Sequence, residues 1–161
     1  MNSIFSFCLR TSLALGVMLG LAGCGHTPIA EASTALETEC WSLQDTLQLT
    51  FSNADTQQVY QLYFPITFTE EYPYRNLYLR AAVQAPSGEV NLLPARFDLA
   101  SPEGEWYTET SGDEVPFNLN LGEGLRLNQT GDYTIRMYHY MRDAEICGVR
   151  EVGVVLDKLV R

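Results

Sequence analysis

The chain has 161 residues, enough for one domain and short for two. Apolar residues make up 46% and charged residues 19%, a globular composition that excludes a disordered chain. Twenty acidic residues face ten basic ones, and Lys158 is the one lysine. The formal net charge of −10 argues against nucleic acid as a partner and against a polybasic membrane patch.

Residues 1–23 contain no acid. Arg10 precedes an apolar run, Thr11 to Gly23, that is too short for a transmembrane helix and has the length of a signal-peptide hydrophobic region. The run ends in Leu21-Ala22-Gly23-Cys24, which resembles the lipobox of bacterial lipoproteins. That resemblance implies cleavage before Cys24 and lipid on its sulfur, so residues 1–23 are expected to be removed. The other reading is an ordinary secretory signal that ends in a chance cysteine. Lipid chains contribute roughly 0.8 kcal/mol of membrane affinity per buried methylene, enough to hold an acidic domain at a bilayer. Residues 24–39 are small and polar without a clear period, and a flexible tether is expected there.

The domain is expected from Cys40 to Arg161. Its period is two. Leu47, Leu49 and Phe51 alternate with polar residues, and so do Tyr60, Leu62, Phe64, Ile66 and Phe68. Leu77, Leu79, Ala81 and Val83 continue the pattern, followed by Val115, Phe117, Leu119 and Leu121. Tyr133, Ile135 and Met137, then Val152, Val154 and Leu156, complete it. Such alternation marks half-buried strands. Turn residues at Ala85-Pro86-Ser87-Gly88, Ser101-Pro102-Glu103-Gly104 and Asn128–Asp132 separate them. The pattern predicts an all-β fold, a single antiparallel β-sandwich. Pro65 and Pro116 fall inside strands, which predicts an edge position or a bulge at each.

No catalytic or phosphate-binding motif is present, and the function expected is non-enzymatic, with no cofactor and no metal. His139, the one histidine of the folded region, is expected at the surface or half-buried in a strand. Glu70 with Glu71, and Asp113 with Glu114, are adjacent pairs whose side chains should point apart, as solvated charges. Cys40 and Cys147 remain besides the anchor. An oxidising envelope favours a disulfide between them, and two buried thiols are the other reading. Nine Tyr, seven Phe and two Trp make aromatics the distinctive feature. Tyr72, Tyr74 and Arg75 on one loop, with Trp106 and Tyr107 on another, form the candidate interaction surface; the other reading places such rings at the ends of the sandwich core.

Several segments in order resemble the gliding-motility lipoprotein family GldH. They are Glu71-Tyr72-Pro73-Tyr74-Arg75-Asn76-Leu77-Tyr78-Leu79, the turn with Pro86 and Gly88, and Leu99-Ala100-Ser101-Pro102-Glu103-Gly104-Glu105-Trp106. Gly131-Asp132-Tyr133-Thr134-Ile135 follows, then Met141-Arg142 and Gly148-Val149-Arg150-Glu151-Val152-Gly153. The resemblance spans Trp41 to Lys158. Two stretches depart from the family pattern, Asn91-Leu92-Leu93-Pro94 and Tyr107-Thr108-Glu109, both expected in connections. The resemblance implies a lipid-anchored, non-catalytic accessory protein of the Bacteroidota cell envelope, acting by contact with gliding or surface machinery. The residues by themselves fit a second function equally well, a glycan-binding envelope lipoprotein. An inner- or outer-membrane anchor is expected, and the lack of an acidic run after Cys24 favours the periplasmic face.

Overall fold

The structure, a computed structural model, describes residues 27–121 and 124–159, so Cys24 and its lipidation lie outside the described residues. In chain order the strands are β1 (Ala30–Ala35), β2 (Cys40–Ser42), β3 (Leu47–Asn53), β4 (Val59–Thr69), β5 (Asn76–Gln84) and β6 (Val90–Asp98). They continue with β7 (Glu114–Asn120), β8 (Leu125–Arg126), β9 (Gly131–His139), β10 (Glu145–Cys147) and β11 (Val149–Lys158). Among the described residues there is no helix.

Two antiparallel sheets face each other. One has the order β1-β11-β4-β7, with β8 also on β4, and the other has the order β3-β9-β5-β6. The alternation decides which side chains meet. Leu62, Phe64, Ile66 and Phe68 of β4, with Val152, Val154 and Leu156 of β11, form one inner face. Leu49, Phe51, Leu77, Leu79, Ala81, Val83, Ile135 and Met137 form the other. Burying one such side chain contributes roughly 1.5–3 kcal/mol, so the two inner faces dominate the stability.

A ribbon of β2 and β10 closes one end. Trp41 and Ile146 are opposite each other on its inner side and are fully buried. The Trp41 indole N–H donates to the Asp45 carbonyl at 2.7 Å. Cys40 and Cys147 are directly opposite on the ribbon and are joined in a disulfide, with their Cα atoms 3.9 Å apart.

Four expectations need correction. The predicted tether is shorter than residues 24–39, because residues 30–35 form β1 on the edge of β11. Main-chain pairing with β11 recruits this segment, with Ala30 and Ala32 packed against the core, and side chains this small gave no clear apolar alternation. Pro65 lies in an internal strand, not an edge. The β4–β11 ladder keeps one register from Ile66–Val152 to Tyr63–Val155, and Gly153 sits against Pro65 between them. A Cβ on Gly153 would lie 2.8 Å from the Pro65 ring. The bulge in this ladder is in β11, between Val149 and Glu151, opposite Phe68 and Thr67. Pro116 does lie in an edge strand, β7. Asn91–Pro94 is not a connection but part of β6, the edge of the second sheet, where one solvated side blurs the alternation. Tyr107–Glu109 does fall in a connection, the one between β6 and β7. His139 is at 0% exposure, wedged edge-on to Trp41 with ring centroids 5.2 Å apart.

Candidate functional site

The aromatic loops expected to form a surface divide between core and solvent. Tyr72 is 4% exposed, packed on Phe68 with centroids 4.4 Å apart, and its hydroxyl donates to the Asn76 carbonyl at 3.1 Å. Burial holds its phenol well above the ordinary range. Trp106 is half-buried, stacked on Phe68 and edge-on to Phe117. Tyr74 packs edge-on to Tyr72, and its hydroxyl donates to Asp143, a bond that raises the phenol's pKa. Arg75 and Tyr107 are exposed, Tyr107 at 61%. Tyr72 and Trp106 therefore finish the end of the core, and the five residues do not form one exposed platform.

The turn after Trp106 ends in an ion cluster. Asp113 and Glu114, expected to point apart, both accept from Arg150, at 2.9 Å and 3.1 Å. The chain bends as it enters β7, which brings both carboxylates to one side. Glu39, in a left-handed conformation at φ 52°, accepts from the same guanidinium at 2.9 Å. Arg150 holds the Asp113 carboxyl below its ordinary range, through a hydrogen bond and then through charge. Glu70 and Glu71 are exposed, as expected. At the far end, Asn53 is buried: its amide donates to the Gln129 carbonyl at 2.7 Å and its Oδ1 accepts from the Tyr60 hydroxyl at 2.6 Å.

Exposed aromatics concentrate elsewhere, on the outer face of the second sheet. Outward positions carry Tyr78, Arg80 and Gln84 on β5, Arg96 on β6, and Arg136 and Tyr138 on β9. Tyr140 follows β9 and is 55% exposed; Tyr78 is 38% exposed. The Arg80 guanidinium carbon lies 3.8 Å from the Tyr140 ring centroid. Arg136 donates to Gln48 Oε1 at 3.2 Å and to Gln84 Oε1 at 2.9 Å. Arg96 pairs with Asp98 on its own strand at 2.7 Å. Sequence reasoning missed this face because it followed only the apolar phase of each strand. The opposite phase, Tyr78-x-Arg80 and Arg136-x-Tyr138, carried the signal.

Residues 28–156 match the protein-family profile described as GldH lipoprotein, which covers nearly all of the described fold. The chain belongs to the GldH lipoprotein family. It is similar to the gliding motility lipoprotein GldH homolog of Christiangramia forsetii, 26% identical over 118 residues, 73% of each chain. Membership makes it an envelope lipoprotein held at a membrane. Among solved structures it shares a partial likeness with a β-porphyranase of glycoside hydrolase family 86 from Bacteroides plebeius. That likeness has a TM-score of 0.35 and 9% identity, covering 81% of this chain and 21% of that one. The VP2 subviral particle of infectious bursal disease virus gives a TM-score of 0.30 at 12% identity, over 91% of this chain and 37% of that one. Neither likeness carries an argument about function.

Proposed function

We propose that this GldH-family chain is a non-catalytic accessory protein of gliding or surface machinery, anchored through lipid on Cys24 and acting by contact with envelope proteins from the periplasmic face. The match to the GldH lipoprotein profile over residues 28–156 carries this reading, together with the gliding-motility relative. The titratable groups are consistent with it. Each clear pKa shift has a local cause: burial for Tyr60, Tyr72 and His139, a hydrogen bond to Asp143 for Tyr74, hydrogen bonds to Tyr138 and Tyr140 for Arg80, and the Arg150 cluster for Asp113 and for Arg150 itself. Tyr60 lies with Asn53 at the far end; the others lie toward the ribbon end, where Tyr72 and His139 are core residues, Tyr74 is engaged with Asp143 and Asp113 with Arg150, whereas general acid–base work needs free groups within reach of one substrate.

The test is affinity capture from detergent-solubilised membranes with the lipidated protein and a Cys24→Ser control, followed by mass spectrometry. Reproducible recovery of envelope machinery by the lipidated form supports the reading. Recovery of glycan alone, with no protein above the control, defeats it.

A further inference from the structure

We infer that the outer face of the β3-β9-β5-β6 sheet is a binding surface for an anionic polysaccharide, with its acidic groups on Arg80 and Arg136 and its sugar rings against Tyr78 and Tyr140. The inference does not depend on the protein-contact reading.

Charge carries the argument. Arg80 is opposite Tyr138, and Arg136 is opposite Ala82, one step along the same pair of strands. The two arginines are therefore diagonal neighbours, about 7 Å apart at their Cβ atoms. In a chain with 20 acids and 10 bases, an arginine pair would be expected to attract carboxylates. Among the described residues neither has one: Arg80 lies on a tyrosine ring, and Arg136 is held by two glutamine amides. Asp98, paired with Arg96, and Asp132 lie toward opposite ends of the face. The centre thus keeps two positive charges with neutral partners, and an anion from outside complements it. Guanidinium groups fixed by amides and rings suit planar, two-pronged contact with carboxylate or sulfate.

The rest of the face selects the kind of anion. Exposed rings of Tyr78 and Tyr140 offer stacking surfaces. Gln48, Gln84, Thr50 and Thr134 add hydrogen-bonding groups spread over three strands, which match the spaced hydroxyls of a sugar chain. A protein interface also favours Tyr and Arg, but sets them around a well-packed apolar core. Here the exposed apolar side chains Val90 and Leu92 lie off-centre, on the edge strand β6. A membrane surface would favour Lys-rich positions beside inserting apolar residues. Lys158, the one lysine, is on the other sheet.

The test is affinity electrophoresis of the full chain, solubilised in detergent, through gels containing alginate, dextran sulfate or neutral dextran. Its net charge of −10 disfavours non-specific binding to a polyanion. The result expected is retardation by at least one of the two polyanions and not by neutral dextran. Arg80→Gln/Arg136→Gln should weaken it by at least about tenfold, as two lost charge-assisted contacts imply. Arg126→Gln/Lys158→Gln, which removes the same charge from the other sheet, should leave it within about twofold. Tyr140→Ser should weaken it at unchanged net charge, and it provides the reading if the double variant fails to fold. Equal retardation of wild type and the Arg80/Arg136 variant overturns the inference, and so does no retardation by either polyanion. Binding only to phosphatidylglycerol vesicles, or only to a second copy of the chain in sedimentation, also overturns it.

Discussion

Gly148→Ala tests whether the close approach of two main chains at the ribbon is what the fold requires. Gly148 lies between the disulfide-bonded Cys147 and β11, at φ +79°. A Cβ there would lie 2.5 Å from the Tyr72 nitrogen, 2.6 Å from its Cα and 3.0 Å from the Glu71 carbonyl carbon. All three atoms are main chain, so no side chain can rotate away. The left-handed conformation alone costs an alanine roughly 1–2 kcal/mol. Forcing the two segments apart adds the cost of overpacking, roughly 1–3 kcal/mol. The total is about 2–5 kcal/mol. Gly88→Ala isolates the first part, because Gly88 is at φ +87° with nothing within 4 Å. For a domain of this size 1 kcal/mol corresponds to about 4 °C in Tm, so Gly88→Ala should lower Tm by roughly 4–8 °C and Gly148→Ala by roughly 8–20 °C. Thermal unfolding of the oxidised proteins, followed by circular dichroism, measures both. A Gly148→Ala variant no less stable than Gly88→Ala would refute the packing argument.

The remaining predictions use other parts of the fold. Cys40→Ser/Cys147→Ser opens a closure spanning 107 residues, and urea unfolding should report a loss of up to about 5 kcal/mol; an unchanged midpoint would mean the ribbon is held by packing alone. Burial lowers the pKa of His139, partly offset by the Trp41 main chain. The folded state therefore binds this proton less readily than the unfolded chain. Stability should be full above the unfolded value of about 6.5 and fall as the pH drops through it toward the lower folded value. Urea unfolding from pH 7.5 to 5 should show this slope, and His139→Phe should flatten it; equal slopes would refute the assignment. Arg150→Ala should return the Asp113 carboxyl from its lowered value to the ordinary range near 3.9, read by NMR titration. No movement would mean that Arg150 does not set the Asp113 charge.

The sequence by itself determined the strands that carry the core. A strand points successive side chains to opposite faces, so the alternation around Phe64, Leu79, Ile135 and Val154 fixed both the element type and the buried phase. Gly and Pro marked the hairpin at Pro86 and Gly88 and the turn from Ser101 to Gly104 for local conformational reasons that need no partner. Period alone does not say which strand lies beside which, and there the tertiary structure decided. It made Ala30–Ala35 a strand through main-chain bonds to β11, an interaction that leaves no mark on side-chain pattern. It placed Gly153 against Pro65, brought Glu39, Asp113 and Glu114 to one arginine, and set Cys40 opposite Cys147. It also sorted the tyrosines. Tyr72 and Tyr78 are six residues apart in one segment, yet one is a core residue and the other lies beside the arginines of an open face. That difference rests on what the opposite sheet covers, a fact of packing between segments distant in the chain.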